Sequence, residues 1–279
     1  MKWREARRSD NVVGGRRGGG GIKLGIGGIA IVIVLGLLFG KDPLQMLGVI
    51  QQLEQPASSQ GPAADDETTD FVRAILGETE DVWTAVLDRA GVRYVPPKLV
   101  LFSGRVQTAC GGASSATGPF YCPSDQQVYL DTSFFDEMKA RLGGGGDFAY
   151  AYVIAHEIGH HVQNLTGVFK RAQSEQARGV PMNGATGLSV REELQADCYA
   201  GVWANRAEAR HKWLERGDIE QALSTATAIG DDRLQQQAQG EVVPDSFTHG
   251  TSEQRVRWFK RGFATGEIGQ CDTFSAKTL

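Results

Sequence analysis

Apolar residues along this chain recur with helical spacing in several stretches and with strand-like spacing in a few short ones. Phe71, Ile75, Val82, Trp83, Val86 and Leu87 give one helix, or two broken near Gly77. Ile154, Ile158, Val162 and Leu165 fall within about 80° of one another on a 3.6-residue wheel. They predict a central helix with Asp147 as its N-cap and Gly167 as its stop. Residues 132–142 and 190–204 read as further helices, and Val256, Trp258 and Phe259 mark a last one. Residues 98–102 and 127–131 read as strands, and 103–109 as another. The expected body, from residue 67 to 279, is thus α+β, mainly helical with a small β-sheet.

The apolar pattern changes before that body. Residues 24–39 contain no charged side chain, and Lys23 can extend the span by snorkelling. Residues 1–40 carry seven Lys/Arg against Glu5 and Asp10, while the rest of the chain has an excess of acid. A basic Gly-rich tail (1–21), a transmembrane anchor (22–40) and a linker (41–66) are therefore expected. The positive-inside rule puts the tail in the cytoplasm and the body across the membrane. A cleaved signal peptide fits less well, because Gly40-Lys41-Asp42-Pro43 follows the apolar run where a small-x-small site belongs. The acidic body excludes nucleic acid as a partner, since phosphate neutralisation needs clustered Lys/Arg. Cys110, Cys122, Cys198 and Cys271 suit two disulfides in an exported body. Three pairings are open; Cys110 and Cys122 bracket a Gly/Ser-rich loop and are the natural local pair, which leaves Cys198 with Cys271. No Cys-x-x-Cys supports a cysteine-zinc site.

Candidate chemistry concentrates on the central helix, in His156-Glu157-Ile-Gly-His160-His161. Positions i and i+4 share a helix face, so His156 and His160 can reach one metal ion, with Glu157 beside them as general base. The helix is apolar on both sides, which makes these histidines interior groups needing partners. His161 cannot reach the same ion as its neighbour and reads as structural. A catalytic zinc takes three protein ligands and leaves one position open. Downstream, Glu193, Asp197, Ala200 and Ala204 share one narrow helical face. Two carboxylates among alanines suit a face packed on the first helix, with Glu193 as third ligand and Asp197 holding the free nitrogen of a ligand histidine. Glu192 is the fallback ligand. Asp231-Asp232 reads as an acidic turn, and nothing catalytic is expected of His211.

His156-Glu-Ile-Gly-His-His161, Glu193-Leu-Gln-Ala-Asp-Cys-Tyr-Ala-Gly-Val-Trp203 and Asp245-Ser-Phe-Thr-His-Gly250 resemble the bacterial neutral zinc metallopeptidase family, which is gluzincin-like. The similarity runs from the basic N-terminus to Cys271-Asp-Thr-Phe274. It implies a membrane-anchored zincin-like metallopeptidase with Zn²⁺ as cofactor, a protein or peptide as substrate, and a periplasmic body on a bacterial inner membrane. Such enzymes supply a group to the tetrahedral oxyanion, which singles out His249 as a catalytic candidate; the other reading is a loop residue beside a Ser252 helix cap. An extended substrate would add to a sheet edge, for which residues 127–131 are the expected strand. The competing function is an exported zinc-binding scaffold without activity, in which Glu157 would be idle.

Overall fold

The computed structural model of the chain describes residues 1–16, 59–62, 66–141 and 145–279. Asp66 caps the first helix by accepting the Thr69 amide at 2.8 Å, and helix α1 runs unbroken over Glu67–Arg89. Gly77 is not a break but a crossing point. A Cβ there would lie 2.5 Å from the Arg7 carbonyl oxygen, so only glycine lets the N-terminal segment pass. The remaining helices are α2 (Phe134–Arg141), α3 (Asp147–Leu165), α4 (Val168–Ala177), α5 (Leu188–His211), α6 (Asp218–Ala228), α7 (Asp231–Gln239) and α8 (Ser252–Thr265). Asp147 is the first residue of α3, not its cap, and Gly167 follows its end in the left-handed conformation.

The strands are β1 (Val12–Arg16), β2 (Ser59–Pro62), β3 (Lys98–Phe102), β4 (Arg105–Thr108), β5 (Gly111–Ser114), β6 (Phe120–Cys122) and β7 (Gln127–Asp131). Five of them form a sheet in the order β2-β1-β3-β7-β6, and β4 and β5 pair as a separate hairpin. Strand alternation divides the sheet's two faces. Leu99, Leu101, Tyr121, Val128 and Leu130 join the main core with the helices. Val100, Phe102, Phe120, Cys122 and Tyr129 face the hairpin's Val106 and Ala113. The expectation that residues 127–131 form the edge does not hold: β7 pairs with β3 in parallel and with β6 in antiparallel, and β6 is the edge strand. The turn-rich Cys110–Cys122 loop hid a three-residue strand too short to show alternation.

Both disulfides pair as the local reading suggested. Cys110–Cys122 fastens the hairpin turn to the end of β6, and Cys198–Cys271 fastens the C-terminal segment to the middle of α5. Helices α5 and α8 cross so closely that a Cβ on Gly262 would overlap the Cys198 carbonyl.

The N-terminal expectation needs correction. Residues 1–16 are part of the body. Trp3 is 3% exposed; it meets Phe71 edge-on at 5.3 Å and donates its indole N–H to Asp147 at 2.8 Å. Arg8 pairs with Asp70 at 2.6 Å, and Arg7 pairs with Glu80 and Asp81 at 2.7 and 2.9 Å. Ser9 donates to Glu80 at 2.6 Å, and β1 lies between β2 and β3. A single membrane crossing between residues 16 and 67 would place these partners on opposite sides of a bilayer. Among the described residues no helix is long and apolar enough to cross a membrane, and the 22–40 segment on which the anchor rests lies outside them. The fold is therefore a body of helices with a small sheet, N-terminal segment included. The single-span anchor falls, and with it the inner-membrane location with a cytoplasmic N-terminus and a periplasmic body.

Removing each disulfide tests this framework. The loops they close span 73 and 12 residues, so chain entropy predicts a loss of about 4 kcal/mol for Cys198→Ser/Cys271→Ser and about 3 kcal/mol for Cys110→Ser/Cys122→Ser. Urea denaturation of the two double variants checks the order, and a larger loss for the short loop would contradict it.

Candidate metal and active site

Helix α3 presents His156 and His160 one turn apart, and α5 packs across it with Glu193 opposite. The approach is close because α3 carries Gly159 where α5 carries Ala196; a Cβ at Gly159 would lie 3.1 Å from the Ala196 backbone. One donor atom from each of His156, His160 and Glu193 lies within 4.8 Å of the others. Glu193 reaches His156 Nε2 at 3.1 Å and His160 Nε2 at 3.4 Å.

The far side of each imidazole is held as well. Asp197 Oδ1 lies 2.9 Å from His156 Nδ1. A buried carboxylate only accepts, so Nδ1 carries a proton, which leaves Nε2, facing Glu193, as the atom that a second proton or a metal ion can take. Gln163 does the same for His160, its Oε1 lying 2.9 Å from Nδ1. The Gln163 amide group is fixed in turn by the Glu192 carbonyl at 2.7 Å and the Gln195 side chain at 3.0 Å. Asp197 is fully buried and also accepts from Tyr152 at 2.6 Å and from Arg255 through Nε at 2.9 Å and Nη2 at 3.0 Å.

Electrostatics follow from this arrangement. Burial opposes a charge on His156, but Asp197 and Glu193 outweigh it and lift its pKa to about 10. A proton and a metal ion therefore compete for the same Nε2. Burial would raise the Glu193 carboxyl, yet the two imidazoles hold it well below its ordinary value. Glu157 is 7% exposed, and its carboxylate makes no hydrogen bond among the described residues. Burial raises its pKa, partly offset by His156 and His160, the direction that suits a base working near neutrality. Glu192, the fallback ligand, lines the cavity beside this group, and burial pushes its pKa up to about 7.

These residues open onto a cavity of about 590 Å³. His156, Glu157, His160 and Glu193 form its floor. Phe120 and Tyr121 of β6, with Phe134, Phe169 and Leu234, supply apolar walls, and His249 lies at its rim. Asp231 holds the His249 loop: one carboxylate oxygen accepts the amides of Thr248, His249 and Gly250 at 2.7, 2.6 and 3.1 Å, and the other lies 3.2 Å from His249 Nδ1. That hydrogen bond raises the His249 pKa. Asp232 binds Ser252 at the start of α8. The acidic pair is thus two loop anchors. His211 sits apart, on the buried Glu78 at 2.9 Å.

Sequence reasoning reached His156, Glu157, His160, Glu193, Asp197 and His249, which the fold brings to one cavity and its support. It missed Gln163, Tyr152, Arg255 and Asp231. Arg255 left a readable trace: it continues the buried stripe of α8 through Trp258, Phe259 and Gly262, and a charge in such a stripe needs a buried partner.

Residues 1–274 match the protein family described as "Putative neutral zinc metallopeptidase". The chain belongs to this family. It is 47% identical over 286 residues to the uncharacterized protein YpfJ of Escherichia coli K12, an alignment covering 98% of this chain and 99% of that one. It is also 47% identical over 218 residues to the uncharacterized protein Rv2575 of Mycobacterium tuberculosis H37Rv, covering 75% and 71% respectively. No solved structure matches the chain. The family implies zinc, and His156, His160 and Glu193 form a group able to hold it. The donor set fits that ion: two imidazoles and a carboxylate are usual zinc ligands, and both imidazoles have their other nitrogen committed to a protein acceptor.

The outer partners are testable through zinc affinity. Gln163→Leu and Asp197→Asn should each weaken zinc binding by about 10–100-fold, measured by competition with a chromophoric chelator. Unchanged affinity in both would show that the hydrogen bonds to Nδ1 do not orient the ligands.

Proposed function

We propose that this chain hydrolyses peptide bonds as a zinc-dependent metallopeptidase, with His156, His160 and Glu193 as ligands and Glu157 as general base. The observation that carries this reading is the convergence of three zinc-type donors in one cavity beside a buried carboxylate that makes no hydrogen bond among the described residues. Three ligands leave a coordination position open, whereas structural zinc sites are normally closed by four protein ligands.

Zinc held there would polarise the scissile carbonyl and acidify the attacking water. Glu157 removes the proton of that water and delivers it to the departing amine, so the same carboxylate serves as base and then acid. Its burial raises its proton affinity, which favours the first transfer, and its cavity position reaches both partners of the second. Asp197 and Gln163 keep the imidazoles from turning. His249 donates a hydrogen bond to the oxygen on which negative charge develops, and Asp231 holds its other nitrogen so that the donor stays aimed at the cavity. The substrate lies extended along β6, whose outer edge pairs with no strand among the described residues and whose Phe120 and Tyr121 line the cavity. Backbone pairing with that edge would give affinity with little sequence preference, and the apolar walls would favour bulky apolar side chains.

Glu157→Gln should keep its zinc while hydrolysis of labelled casein falls by at least about 10²-fold. Full turnover in a zinc-loaded variant would remove Glu157 from the reaction. His249→Phe should lower kcat by about 10²-fold with little change in KM; an unaltered kcat would return His249 to a purely structural place in its loop.

A further inference from the structure

Strand β6 is three residues long and has one neighbouring strand among the described residues, β7. Such a short edge is poorly held by a single ladder, yet it lines the cavity opposite the metal-site helix. The connection between the two passes through His161. This residue is 1% exposed and does not line the cavity. It leaves α3 on a different side from its neighbour His160.

The hydrogen bonds around it have a defined direction. His161 Nε2 lies 2.7 Å from the Val95 carbonyl oxygen, which can only accept, so Nε2 carries the proton and Nδ1 of the neutral ring accepts. The Tyr121 hydroxyl, 3.1 Å from Nδ1, is the donor. Asn164, one turn on from His161, donates to the same hydroxyl oxygen at 2.9 Å. The rings of Tyr94 and Tyr121 meet the imidazole edge-on at 5.8 and 5.4 Å. Tyr121 is thus gripped by two residues of α3, while its ring forms part of the cavity wall. On the opposite face of β6, Phe120 stacks on Tyr129 at 5.0 Å, and Cys122 is joined to the hairpin.

We propose that His161 is a positioning residue for the substrate: through Tyr121 it sets the spacing between edge strand β6 and helix α3, and so places an extended peptide paired to β6 over Glu157 and the metal ligands. This rests on the peptidase reading above. The same helix then carries the metal ligands on one side and the anchor of the peptide-binding edge on another. A shift of α3 moves both together, and the distance from the edge to the reacting atoms stays fixed. His161 acts through Tyr121 and touches neither peptide nor metal.

The test uses zinc-loaded full-length protein carrying Glu157→Gln, with fluorescein-labelled casein as probe and binding read by anisotropy. Adding Tyr121→Phe or His161→Phe should weaken casein binding by about fivefold to tenfold, the effect of losing a buried hydrogen bond, with zinc content unchanged. His161→Gln, which keeps one donor and one acceptor, should recover most of the loss. The double variant Tyr121→Phe/His161→Phe should be no weaker than either single one, because both break the same chain. Casein binding within twofold of the parent in folded Tyr121→Phe overturns the proposal, as does a parent that does not bind casein; Tyr121→Phe decides alone if His161→Phe fails to fold. Casein hydrolysis by the chain with Glu157 in place is scored separately. Weakened binding without hydrolysis by that chain leaves the clamp standing and removes the peptidase reading, whereas hydrolysis with unaffected binding does the reverse.

Discussion

One buried carboxylate organises this molecule. Asp197 is fully enclosed where α3, α5 and α8 meet, and it accepts from Tyr152, His156 and Arg255 at once. An isolated charge at that depth would cost several kcal/mol or more, and it persists only because Arg255, itself 2% exposed, neutralises it through two parallel hydrogen bonds. The pair carries no net charge, so His156 donates its hydrogen bond to an anion already compensated. That keeps the imidazole oriented without adding a second uncompensated negative charge beside Glu193. The cost of assembling the pair is met by the helix packing around it. Gly159 against Ala196 and Gly262 against Cys198 bring the three helices close enough for short side chains to meet.

The parts of this site that lie on single helices were readable from the chain. Spacing of four residues puts His156 beside His160 and Glu193 beside Asp197, because helical geometry is local and repeats. The disulfide partners also followed from local spacing and elimination. What could not be read is whatever depends on remote packing. Arg255 lies 58 residues from Asp197, and no local rule joins them; only its place in an apolar stripe betrays it. Gln163 is one turn from His160, yet glutamine on a helix is ordinary, and its role appears only once α5 supplies the Glu192 carbonyl and Gln195.

Two of the misreadings share a cause. Residues 1–16 look like the start of a basic Gly-rich tail because Lys2, Arg4, Arg7, Arg8 and Arg16 outnumber Glu5 and Asp10 and a Gly-rich run begins at Gly14. Their charges are in fact answered by Asp70, Glu80 and Asp81 on one face of α1, more than sixty residues away. Composition reports how much charge a segment carries, not whether a complementary surface exists elsewhere. Similarly, residues 127–131 read as a sheet edge from a strand-like run that carries no information on what lies beside it. An interior strand of a mixed sheet shows the same pattern, and β6 is too short to show any.

The candidate chemistry is split between two parts of the fold that are held in different ways. The metal-ligating side chains stand on long helices crossed at small residues and tied by the buried Cys198–Cys271 bridge. The proposed peptide-binding edge stands on a three-residue strand that pairs on one side only among the described residues. Catalysis by a preorganised site tolerates little error between such parts, since a misplacement of about 1 Å can cost about 10²-fold in rate. A ladder to β7 fixes β6 along one direction only. The Tyr121 hydroxyl, gripped from α3, fixes it along the direction that separates edge from metal ligands, and the Cys110–Cys122 bridge restrains its far face. On the proposed reading the doubled histidine has a physical reason: His160 is placed to bind a metal ion, and His161 holds the strand along which the substrate would lie.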